Sequence, residues 1–565
     1  MITAITKEFK DYYLKNQAQL TLRNLLATPN RGQKFSVQLD TPSPLLFDFS
    51  KENLDDGCFE RFQKIFDSAQ LQSKIDGLGK GEKVNFTENK PALHSACRTK
   101  AESFIVDGVD VAKEVHGVRS QISTFSEEIR SGKRLGVTGK HFDSILNIGI
   151  GGSLLGLKSS YEGLKACEDV RAKKQKIFSM RCIANVDPAD FGLTVEGVDP
   201  ETTLVIISSK SFTTMETALN LALVKEWLVK GLQAKNSALT AEEICKKHLL
   251  ASTANPAVAA KAGFPEDCVF KFWDWVGGRY SVSSACGILP LSIALGYDTV
   301  SSFLDGMQAL DHHFFTEKDW KKNIPVLMGL IDYFHINVQG YPTKCIIPYS
   351  QPLHSFLLHI AQLEMESNGK IVQKDGEGHE TNHTGGIVFG DTGSNCQHSF
   401  FQLVHHGRVV PVEFIVFANN ALDARTKDHP ITHHEELSMN YFAQVKCLAL
   451  GRTAEELTKA GMDPKLIPYN IFEGNRPTSS LIFSSLTSQT FGALFSIYEN
   501  KVAVEGFISG INSFDQYGVE LGKKLCTGLR DKLKQVTSKE DRIKEFGQDE
   551  VNGEAFKFFF THRKE

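Results

Sequence analysis

Short apolar runs that alternate with helix-length segments constrain the fold of this chain more than any other feature. A first group begins after Gly139 and covers residues 144–150, 204–207, 248–252 and 269–273. A second group follows residue 320 and covers residues 344–348, 386–389 and 412–416. Because a strand that is buried on both faces reads as a continuous apolar run, each group predicts a parallel sheet covered by helices.

The length of the chain predicts more than one domain. Its 565 residues exceed what a single hydrophobic core supports. We therefore expect an α/β protein with two doubly wound parallel-sheet domains in tandem, at residues 141–310 and 320–518. Residues 1–140 are expected to form a helical N-terminal extension, and residues 519–565 a charged helical tail.

Charge and cysteine content restrict the class of partner and the compartment. The chain has 63 basic and 67 acidic residues, so nothing indicates nucleic acid or a membrane surface as a partner. Its 11 cysteines include no Cys-x-x-Cys pair, which argues against a disulfide framework and favours a reducing compartment. The N-terminus has no apolar run of signal-peptide length, so we expect a cytoplasmic protein.

Residues 147–153 form a glycine turn between a predicted strand and a predicted helix. Such a turn can aim backbone N–H groups at an anion. A dinucleotide-binding turn needs a third glycine where Leu154 stands, and a Walker A loop needs a lysine where Leu157 stands. Both nucleotide-binding patterns therefore fail, and an anion site and a plain tight turn remain open.

Residues 208–214 form a second polar turn between a strand and a helix. Five of these seven residues carry hydroxyl groups. Hydroxyls and N–H groups at a helix N-terminus suit a phosphate, because the donors and the helix dipole both favour negative charge. N-capping of the helix uses the same residue types, but one cap needs only one hydroxyl. The pattern favours a phosphate site.

Three single residues have side chains that suit proton transfer or the stabilisation of the charge that it creates. Glu366 closes an apolar helix, where the negative helix end favours proton uptake, although a surface glutamate is the competing interpretation. Arg279 follows two glycines and could stabilise an enediolate without a metal, and a structural salt bridge is the alternative. His398 precedes a predicted helix and could shuttle a proton, but it is one of 18 histidines.

Residues 379–383 match the zinc-protease pattern His-Glu-x-x-His. The pattern binds zinc only on a helix, where both imidazoles share one face. Glycines flank the segment on both sides and it lacks apolar periodicity. We therefore expect no metal site there.

Several longer motifs follow one another along the chain. Residues 274–281 read Asp-Trp-Val-Gly-Gly-Arg-Tyr-Ser, and residues 509–524 contain Asn-Ser-Phe-Asp-Gln-Tyr-Gly-Val-Glu-Leu-Gly-Lys. Shorter motifs lie at residues 84–88, 149–153, 365–370 and 397–398. On these motifs the chain resembles the glucose-6-phosphate isomerase (phosphoglucose isomerase) family. The resemblance covers most of the chain and implies two sugar-isomerase (SIS) domains, in agreement with the two predicted α/β domains.

The resemblance also implies an activity, the reversible isomerisation of D-glucose 6-phosphate and D-fructose 6-phosphate through ring opening and a cis-enediol, in glycolysis and gluconeogenesis. The implied catalytic residues are Glu366 as the base, Arg279 for the enediolate, Lys523 and His398 for ring opening, and Glu216 to orient His398. The implied substrate-binding residues are Gly152, Ser153, Ser209, Lys210, Ser211, Thr214 and Gln516. No cofactor or metal is implied. Members of the family are homodimers, so His398 is expected to come from the partner subunit.

Three departures from the family pattern bear on rate and affinity. Leu154 stands in place of an aspartate after the glycine turn, Met215 in place of a glutamine, and Ser283 in place of a tryptophan. Two alternative functions stay open. One is a dual-specificity phosphoglucose/phosphomannose isomerase, and the other is a non-enzymatic phosphosugar-binding regulator. The presence of Glu366, His398 and Lys523 argues against the regulator.

Overall fold

A computed structural model describes residues 2–374, 376 and 383–564 of the chain. Two compact units make up the chain, Met1–Phe514 and Asp515–Glu565. Among the described residues, no helix has both the length and the apolar content to cross a membrane. The α/β class and the helical terminal regions predicted from the sequence are confirmed.

The N-terminal region is largely helical, as predicted, but it also supplies strands that the sequence analysis did not predict. Its helices are α1 (Ile2–Asn16), α2 (Leu22–Leu25), α3 (Arg31–Lys34), α4 (Asp56–Ser68), α5 (Leu71–Lys80) and α6 (Val111–Arg130). Its strands are β1 (Ser36–Leu39), β2 (Leu45–Lys51), β3 (Ile105–Val106) and β4 (Val109–Asp110). The strands β1 and β2 pair antiparallel, and β2 then joins a sheet built mostly by the second half of the chain.

The first large sheet contains five parallel strands in the order β6-β5-β7-β8-β9. The strands are β5 (Ser144–Ile148), β6 (Ser179–Ile183), β7 (Thr203–Ser208), β8 (Leu249–Thr253) and β9 (Val269–Lys271). The helices between them are α7 (Leu155–Leu164), α8 (Glu168–Ala172), α9 (Pro188–Val195), α10 (Met215–Lys235), α11 (Ala241–His248) and α12 (Pro256–Lys261). Four of the five strands were predicted. The fifth, β6, is an edge strand in which the exposed Ser179 and Arg181 flank the buried Met180, so its sequence lacks a continuous apolar run.

The second large sheet has six strands in the order β1-β2-β13-β12-β10-β11. Its later strands are β10 (Thr343–Pro348), β11 (Ile387–Gly390), β12 (Val412–Asn419) and β13 (Thr478–Ser485). These four strands run parallel, whereas β2 pairs antiparallel with β13. The predicted strands β10, β11 and β12 are confirmed, and β13 was missed because five of its eight residues are Ser or Thr. The sheet is therefore mixed, because an N-terminal hairpin extends its parallel part.

The remaining helices of the larger unit follow the first sheet along the chain. They are α13 (Ala285–Leu295), α14 (Tyr297–Thr316), α15 (Ile324–Phe334), α16 (His354–Asn368), α17 (Phe401–His406), α18 (His433–Leu450), α19 (Ala454–Lys459), α20 (Ile467–Asn470) and α21 (Ser488–Ser509). The helix α21 is buried on all sides over most of its length. A helix buried all round belongs at the centre of a large core rather than on its surface.

The alternation of side chains along each strand divides the core. In β5, Leu146 and Ile148 face a cluster that includes the buried side of α10, while Ile145 faces a central cluster. In β12, Ile415 faces the same central cluster and Phe414 faces a third one. Since successive residues of a strand point to opposite faces, each sheet has one face on its own outer helices and the other on the shared core. The central helices therefore lie between the two sheets.

The smaller unit is helical, as predicted for the tail. It contains α22 (Glu520–Gln535), α23 (Lys539–Phe546) and α24 (Gly553–His562). The ring of Phe546 packs against Phe556 and Phe560, with centroids 5.1 and 5.4 Å away. These aromatic contacts join α23 to α24.

Candidate active site

Two of the predicted polar turns lie side by side at the carboxyl edge of the first sheet. The chain leaves β5 for β6 on one side and returns to β7 on the other, so β5 and β7 flank the point where the strand order reverses. The glycine turn follows β5, and the Ser/Thr turn follows β7. Open α/β sheets bind ligands at this point, because the two turns separate and leave a crevice.

The glycine turn lies against the loop that carries Arg279. Gly151 has a φ of +58°, a conformation that glycine adopts at little cost. A Cβ added to Gly152 would lie 2.1 Å from the carbonyl carbon of Gly278 and 2.5 Å from the amide nitrogen of Arg279. Because backbone atoms block that position, Gly152 is required for the two loops to meet. This packing accounts for one of the glycines independently of any ligand.

The serines of the second turn fold the turn itself. The hydroxyl of Ser209 accepts a hydrogen bond from the amide of Phe212 at 3.2 Å. The hydroxyl of Ser211 accepts from both the amide and the hydroxyl of Thr213, at 3.2 and 2.9 Å. Thr214 occupies the N-cap position of α10, but its side chain makes no capping hydrogen bond among the described residues. The N-capping alternative therefore does not explain Thr214, and the N-terminus of a 21-residue helix meets the crevice without a side-chain cap.

Lys210 ties the Ser/Thr turn to the arginine loop rather than pointing at the crevice. Its ammonium group donates to the backbone oxygens of Asp274 and Val276, at 2.6 and 3.0 Å. Burial lowers the pKa of Lys210, because desolvation disfavours the charged form. The backbone of Lys210, and not its ammonium group, is thus the part available to a ligand.

Arg279 and Glu366 face each other. Arg279 is buried, and its Nε donates to the hydroxyl of Ser367 at 2.5 Å while Nη2 donates to the backbone oxygen of Ser513 at 2.6 Å. Its Nη1 lies 3.7 Å from Oε2 of Glu366, an ion-pair distance too long for a hydrogen bond. Gln362, one helical turn earlier, donates to the same carboxylate oxygen at 2.8 Å. Glu366 lies in the last turn of α16, as predicted.

No hydrogen bond joins the side chains of His398 and Glu216 in the single chain. His398 ends a short 3₁₀ turn, Asn395–His398, and its side chain is exposed. The turn is held by Gln397, whose amide donates to the hydroxyl of Tyr349 at 2.9 Å. Glu216 lies in the first turn of α10. Among the described residues of the single chain, the side chains of Glu216 and His398 form no hydrogen bond or ion pair.

Gln516 and Lys523 belong to the smaller unit. Gln516 immediately precedes the 3₁₀ turn Tyr517–Val519. Lys523 lies on α22, where its ammonium group is exposed and lies 3.0 Å from Glu520. Within that unit, Lys523 therefore presents its charge to solvent.

Several residues around Arg279 were not predicted from the sequence. The hydroxyl of Ser367 also lies 3.0 Å from the hydroxyl of Tyr280, so one serine orders two neighbouring side chains of the arginine loop. The amide of Asn512 donates to Asn85 at 2.8 Å and to Thr87 at 2.6 Å. This contact gives the N-terminal motif at residues 84–88 a structural role. The four-residue spacing from Gln362 to Glu366 was the one signal in the sequence that could have identified the glutamine.

The three departures from the family pattern differ in their surroundings. Leu154 follows the glycine turn and is half-buried, Met215 begins α10 and is 41% exposed, and Ser283 is buried. Ser283 donates to the backbone oxygen of His94 at 3.4 Å and accepts from Arg98 at 3.5 Å. Ser283 therefore takes part in an internal hydrogen-bond network.

A separate cavity of about 580 Å³ lies at the carboxyl edge of the second sheet. Its lining includes Tyr349, His354, Phe417 and His434, and it contains neither Arg279 nor Glu366. We place the candidate active site where the loops at the carboxyl edge of the first sheet meet α16, because Arg279 and Glu366 face each other there. In the described ranges, no group of three or more His, Cys, Asp or Glu side chains could hold a metal ion. Residues 379–382 of the His-Glu-x-x-His pattern lie outside the described residues.

Solved structures share this architecture over nearly the whole chain. A crystal structure of a glucose-6-phosphate isomerase from Chlamydia trachomatis matches with a TM-score of 0.79 and 30% identity, covering 96% of this chain and 95% of that one. A hypothetical protein from Thermus thermophilus matches with a TM-score of 0.62 and 21% identity, covering 86% of this chain and 99% of that one. The second match shows the fold alone.

Sequence comparison gives the same family. The cytosolic glucose-6-phosphate isomerase of Zea mays is 42% identical over 513 residues, which are 91% of this chain and 88% of that protein. The cytosolic glucose-6-phosphate isomerase of Arabidopsis thaliana is 42% identical over 531 residues, 94% of this chain and 92% of that protein. Residues 48–547 match the family described as phosphoglucose isomerase. The chain therefore belongs to the phosphoglucose isomerase family.

Proposed function

We propose that this protein is an isomerase that interconverts D-glucose 6-phosphate and D-fructose 6-phosphate. Membership of the phosphoglucose isomerase family supports the substrate. The observation that carries the chemistry is the placement of Arg279 and Glu366, whose side chains face each other at 3.7 Å. A carboxylate base beside a fixed cation is what proton transfer next to a carbonyl requires.

The substrate phosphate is held, in this proposal, at the N-terminus of α10. Ser209, Ser211 and Thr214 contribute hydroxyls, and the backbone of Lys210 contributes an N–H group. Helix N-termini bind phosphate because free N–H groups and the helix dipole both favour negative charge. Gly152 and Ser153 contact the sugar from the neighbouring turn. Gln516 of the C-terminal segment binds on the phosphate side.

Catalysis then proceeds in two stages. Lys523 and His398 open the sugar ring by moving a proton between the ring oxygen and the hydroxyl at the anomeric carbon. Glu366 next removes the proton from C2 of the open aldose, and the bonding electrons form the C1–C2 double bond of the enediolate. Arg279 stabilises the negative oxygen while a proton moves from the C2 oxygen to the C1 oxygen. Glu366 then returns its proton to C1, and the C2 oxygen becomes the carbonyl of the ketose. Arginine suits this step because its charge is permanent and its donors are fixed in one plane.

The proposed enzyme is a homodimer, and His398 of the partner subunit completes each site. The exposure of His398 in the single chain supports this part of the proposal. Glu216 would then orient the imidazole by accepting its second N–H group. Two domains, at residues 141–310 and 320–518, would supply the site together with Lys523 of the C-terminal tail. Catalysis would take place in the cytoplasm, in glycolysis and gluconeogenesis. The relatives named cytosolic support that compartment.

The test is turnover of fructose 6-phosphate by chelator-treated protein, with glucose 6-phosphate detected through an NADP-linked dehydrogenase. Mannose 6-phosphate is assayed in parallel through the fructose 6-phosphate that it would form. Activity with the glucose and fructose phosphates alone supports the proposal. Comparable turnover of mannose 6-phosphate would favour a dual-specificity isomerase, and sugar-phosphate binding without turnover would favour a phosphosugar-binding regulator.

A further inference from the structure

Asn368 connects the arginine of the candidate site to a cluster of buried charges. It lies at the end of α16, two residues after Glu366, and is 1% exposed. Its side-chain oxygen accepts a hydrogen bond from the hydroxyl of Ser513 at 2.7 Å. The backbone oxygen of Ser513 is the atom that accepts from Arg279. One serine thus contacts Arg279 through its backbone and Asn368 through its side chain.

The amide nitrogen of Asn368 points the other way, into the interior. It donates to Glu505 at 3.0 Å, to Glu364 at 3.3 Å and to the backbone oxygen of Val502 at 3.1 Å. All three acceptors lie on α16 or α21, the central helices of the core. Both ends of the Asn368 amide are therefore bonded, which fixes its orientation and, through it, the position of the Ser513 side chain.

The charges beneath Asn368 are paired with each other rather than with solvent. Four buried carboxyl groups surround two buried lysines, and the members are Asp332, Glu364, Glu413, Glu505, Lys344 and Lys501. Lys501 lies 2.7 Å from Asp332 and 3.2 Å from Glu505. Two positive charges do not balance four carboxylates. Burial and the neighbouring Glu364 raise the pKa of Glu505 well above its usual range, which favours the neutral form of this carboxyl group.

A glycine makes the contact between Asn368 and Ser513 possible. A Cβ added to Gly506 would lie 1.8 Å from the hydroxyl oxygen of Ser513 and 3.2 Å from the side-chain oxygen of Asn368. The absence of a side chain at Gly506 therefore leaves the space in which this hydrogen bond forms. Helix-interior glycine costs stability relative to alanine, so its presence in α21 calls for a packing reason of this kind.

We propose that Asn368 is a positioning residue, which holds Ser513 so that Arg279 keeps its orientation toward Glu366 and the enediolate. The Glu364, Glu505 and Lys501 side chains act as the rigid support for the Asn368 amide. Supporting groups of this kind matter because displacement of a catalytic group by about 1 Å can cost about a hundredfold in rate. The proposal rests on the proposed isomerase function, since Arg279 is assigned to the enediolate only within that function.

The first experiment compares Asn368→Ala with Asn500→Ala. Asn500 is a matched control, because it is fully buried in α21 and donates to a carboxylate, that of Asp311, at 3.0 Å, outside the active site. We expect Asn368→Ala to lower kcat by about tenfold to a hundredfold while KM changes by less than about threefold. We expect Asn500→Ala to lower the melting temperature without this change in kcat. Equal kcat for Asn368→Ala and the wild type would overturn the proposal.

Binding measurements separate this inference from the proposed function. One ligand is a phosphorylated aldonate, whose carboxylate resembles the planar enediolate, and the other is a phosphorylated polyol without that charge. By calorimetry, Asn368→Ala should lose affinity for the aldonate by the same factor as kcat and keep its affinity for the polyol. Equal losses for both ligands would indicate a purely structural role. Failure of the wild-type protein to turn over substrate or to bind either ligand would instead contradict the isomerase function.

Two milder variants keep the test decisive if Asn368→Ala does not fold. Ser513→Ala removes only the hydroxyl that bonds to Asn368. It should lower kcat less than Asn368→Ala does, with unchanged KM. Glu505→Gln keeps a neutral group of the same shape and should retain wild-type kcat, whereas Glu505→Ala should lose activity. A Glu505→Gln variant as impaired as Glu505→Ala, or a fully active Ser513→Ala variant, would contradict the proposal.

Discussion

Nη1 of Arg279 lies 3.7 Å from Oε2 of Glu366, while Nε and Nη2 of the same guanidinium are already bonded to Ser367 and Ser513. These hydrogen bonds therefore fix the guanidinium, and Nη1 faces the Glu366 carboxylate at a distance too long for a hydrogen bond. This arrangement leads to the first two predictions.

Replacement of Glu366 by glutamine should abolish proton transfer and preserve binding. The amide keeps the shape of the side chain but cannot take up the C2 proton, so kcat should fall by at least about a hundredfold, the lower range for general base catalysis. Steady-state kinetics and calorimetry with fructose 6-phosphate measure the two effects. Glu226→Gln, on the exposed face of α10, is the control. Near wild-type kcat in Glu366→Gln would show that another group is the base.

Replacement of Arg279 by lysine should be costly although the charge is kept. A lysine cannot donate to Ser367 and Ser513 in the fixed geometry of the guanidinium and face Glu366 as well. Loss of a donor to a developing oxyanion typically lowers kcat by about a hundredfold to a thousandfold. The effect should appear in kcat more than in KM. A predominant rise in KM would mean that Arg279 binds the ground state instead.

Replacement of Gly152 by alanine should disturb both loops of the candidate site. The added methyl group would lie 2.1 Å from the backbone of Gly278, and a backbone segment cannot move aside without cost. Overpacking of this kind costs about 1–3 kcal/mol. Gly192→Ala is the control, because nothing lies within 4 Å of its added Cβ. Gly152→Ala should lower both the urea midpoint and kcat, whereas Gly192→Ala, inside α9, should keep wild-type kcat and lose no stability.

The buried carboxyl of Glu499 should make stability depend on pH in an unusual direction. Burial raises the pKa of Glu499 from its ordinary value of 4.5 to about 7, against the opposing effect of Arg98 and with the help of Asp311. Between these two pH values the folded protein holds a proton that the unfolded chain has released. The contribution of Glu499 to stability therefore falls as the pH rises from about 4.5 to about 7.

Glu499→Gln should remove this dependence. Relative to the wild type, the variant should gain up to roughly 3 kcal/mol of unfolding free energy between pH 4.5 and pH 8, because one pKa unit corresponds to about 1.4 kcal/mol. Urea unfolding of both proteins across that range gives the difference, in which other titrating groups cancel. A difference that does not change with pH would mean that Glu499 is ionised in the folded protein throughout.

The sequence predicted the elements whose environment is uniform along their length. Strands such as β7 are buried at every residue and read as apolar runs. The strand β13 was missed because its hydroxyl-rich sequence is typical of a loop, and it pairs as a strand only because β12 and β2 lie on either side of it. Propensity is a weaker influence than such tertiary pairing.

The candidate site was predictable in its residue types and not in its contacts. The polar turns after β5 and β7 were evident from the sequence, since a strand that ends in hydroxyls or glycines has a short local signature. The dependence of Gly152 on the backbone of Gly278 was not, because it joins segments more than 120 residues apart. The role of Asn512 likewise depends on Asn85 and Thr87 in the N-terminal region.

The pairing of β2 with β13 has a consequence for synthesis of the chain. Leu45 lies opposite Phe483, so the hairpin formed by β1 and β2 is synthesised more than 400 residues before β13, the strand that it joins. During that interval the rings of Phe47 and Phe49, which end up buried, have no completed core to enter. Contacts between such distant segments slow folding and prolong the exposure of apolar surface. The second sheet can therefore close only after β13 has been synthesised, and a chain truncated before residue 478 would expose this hairpin to aggregation.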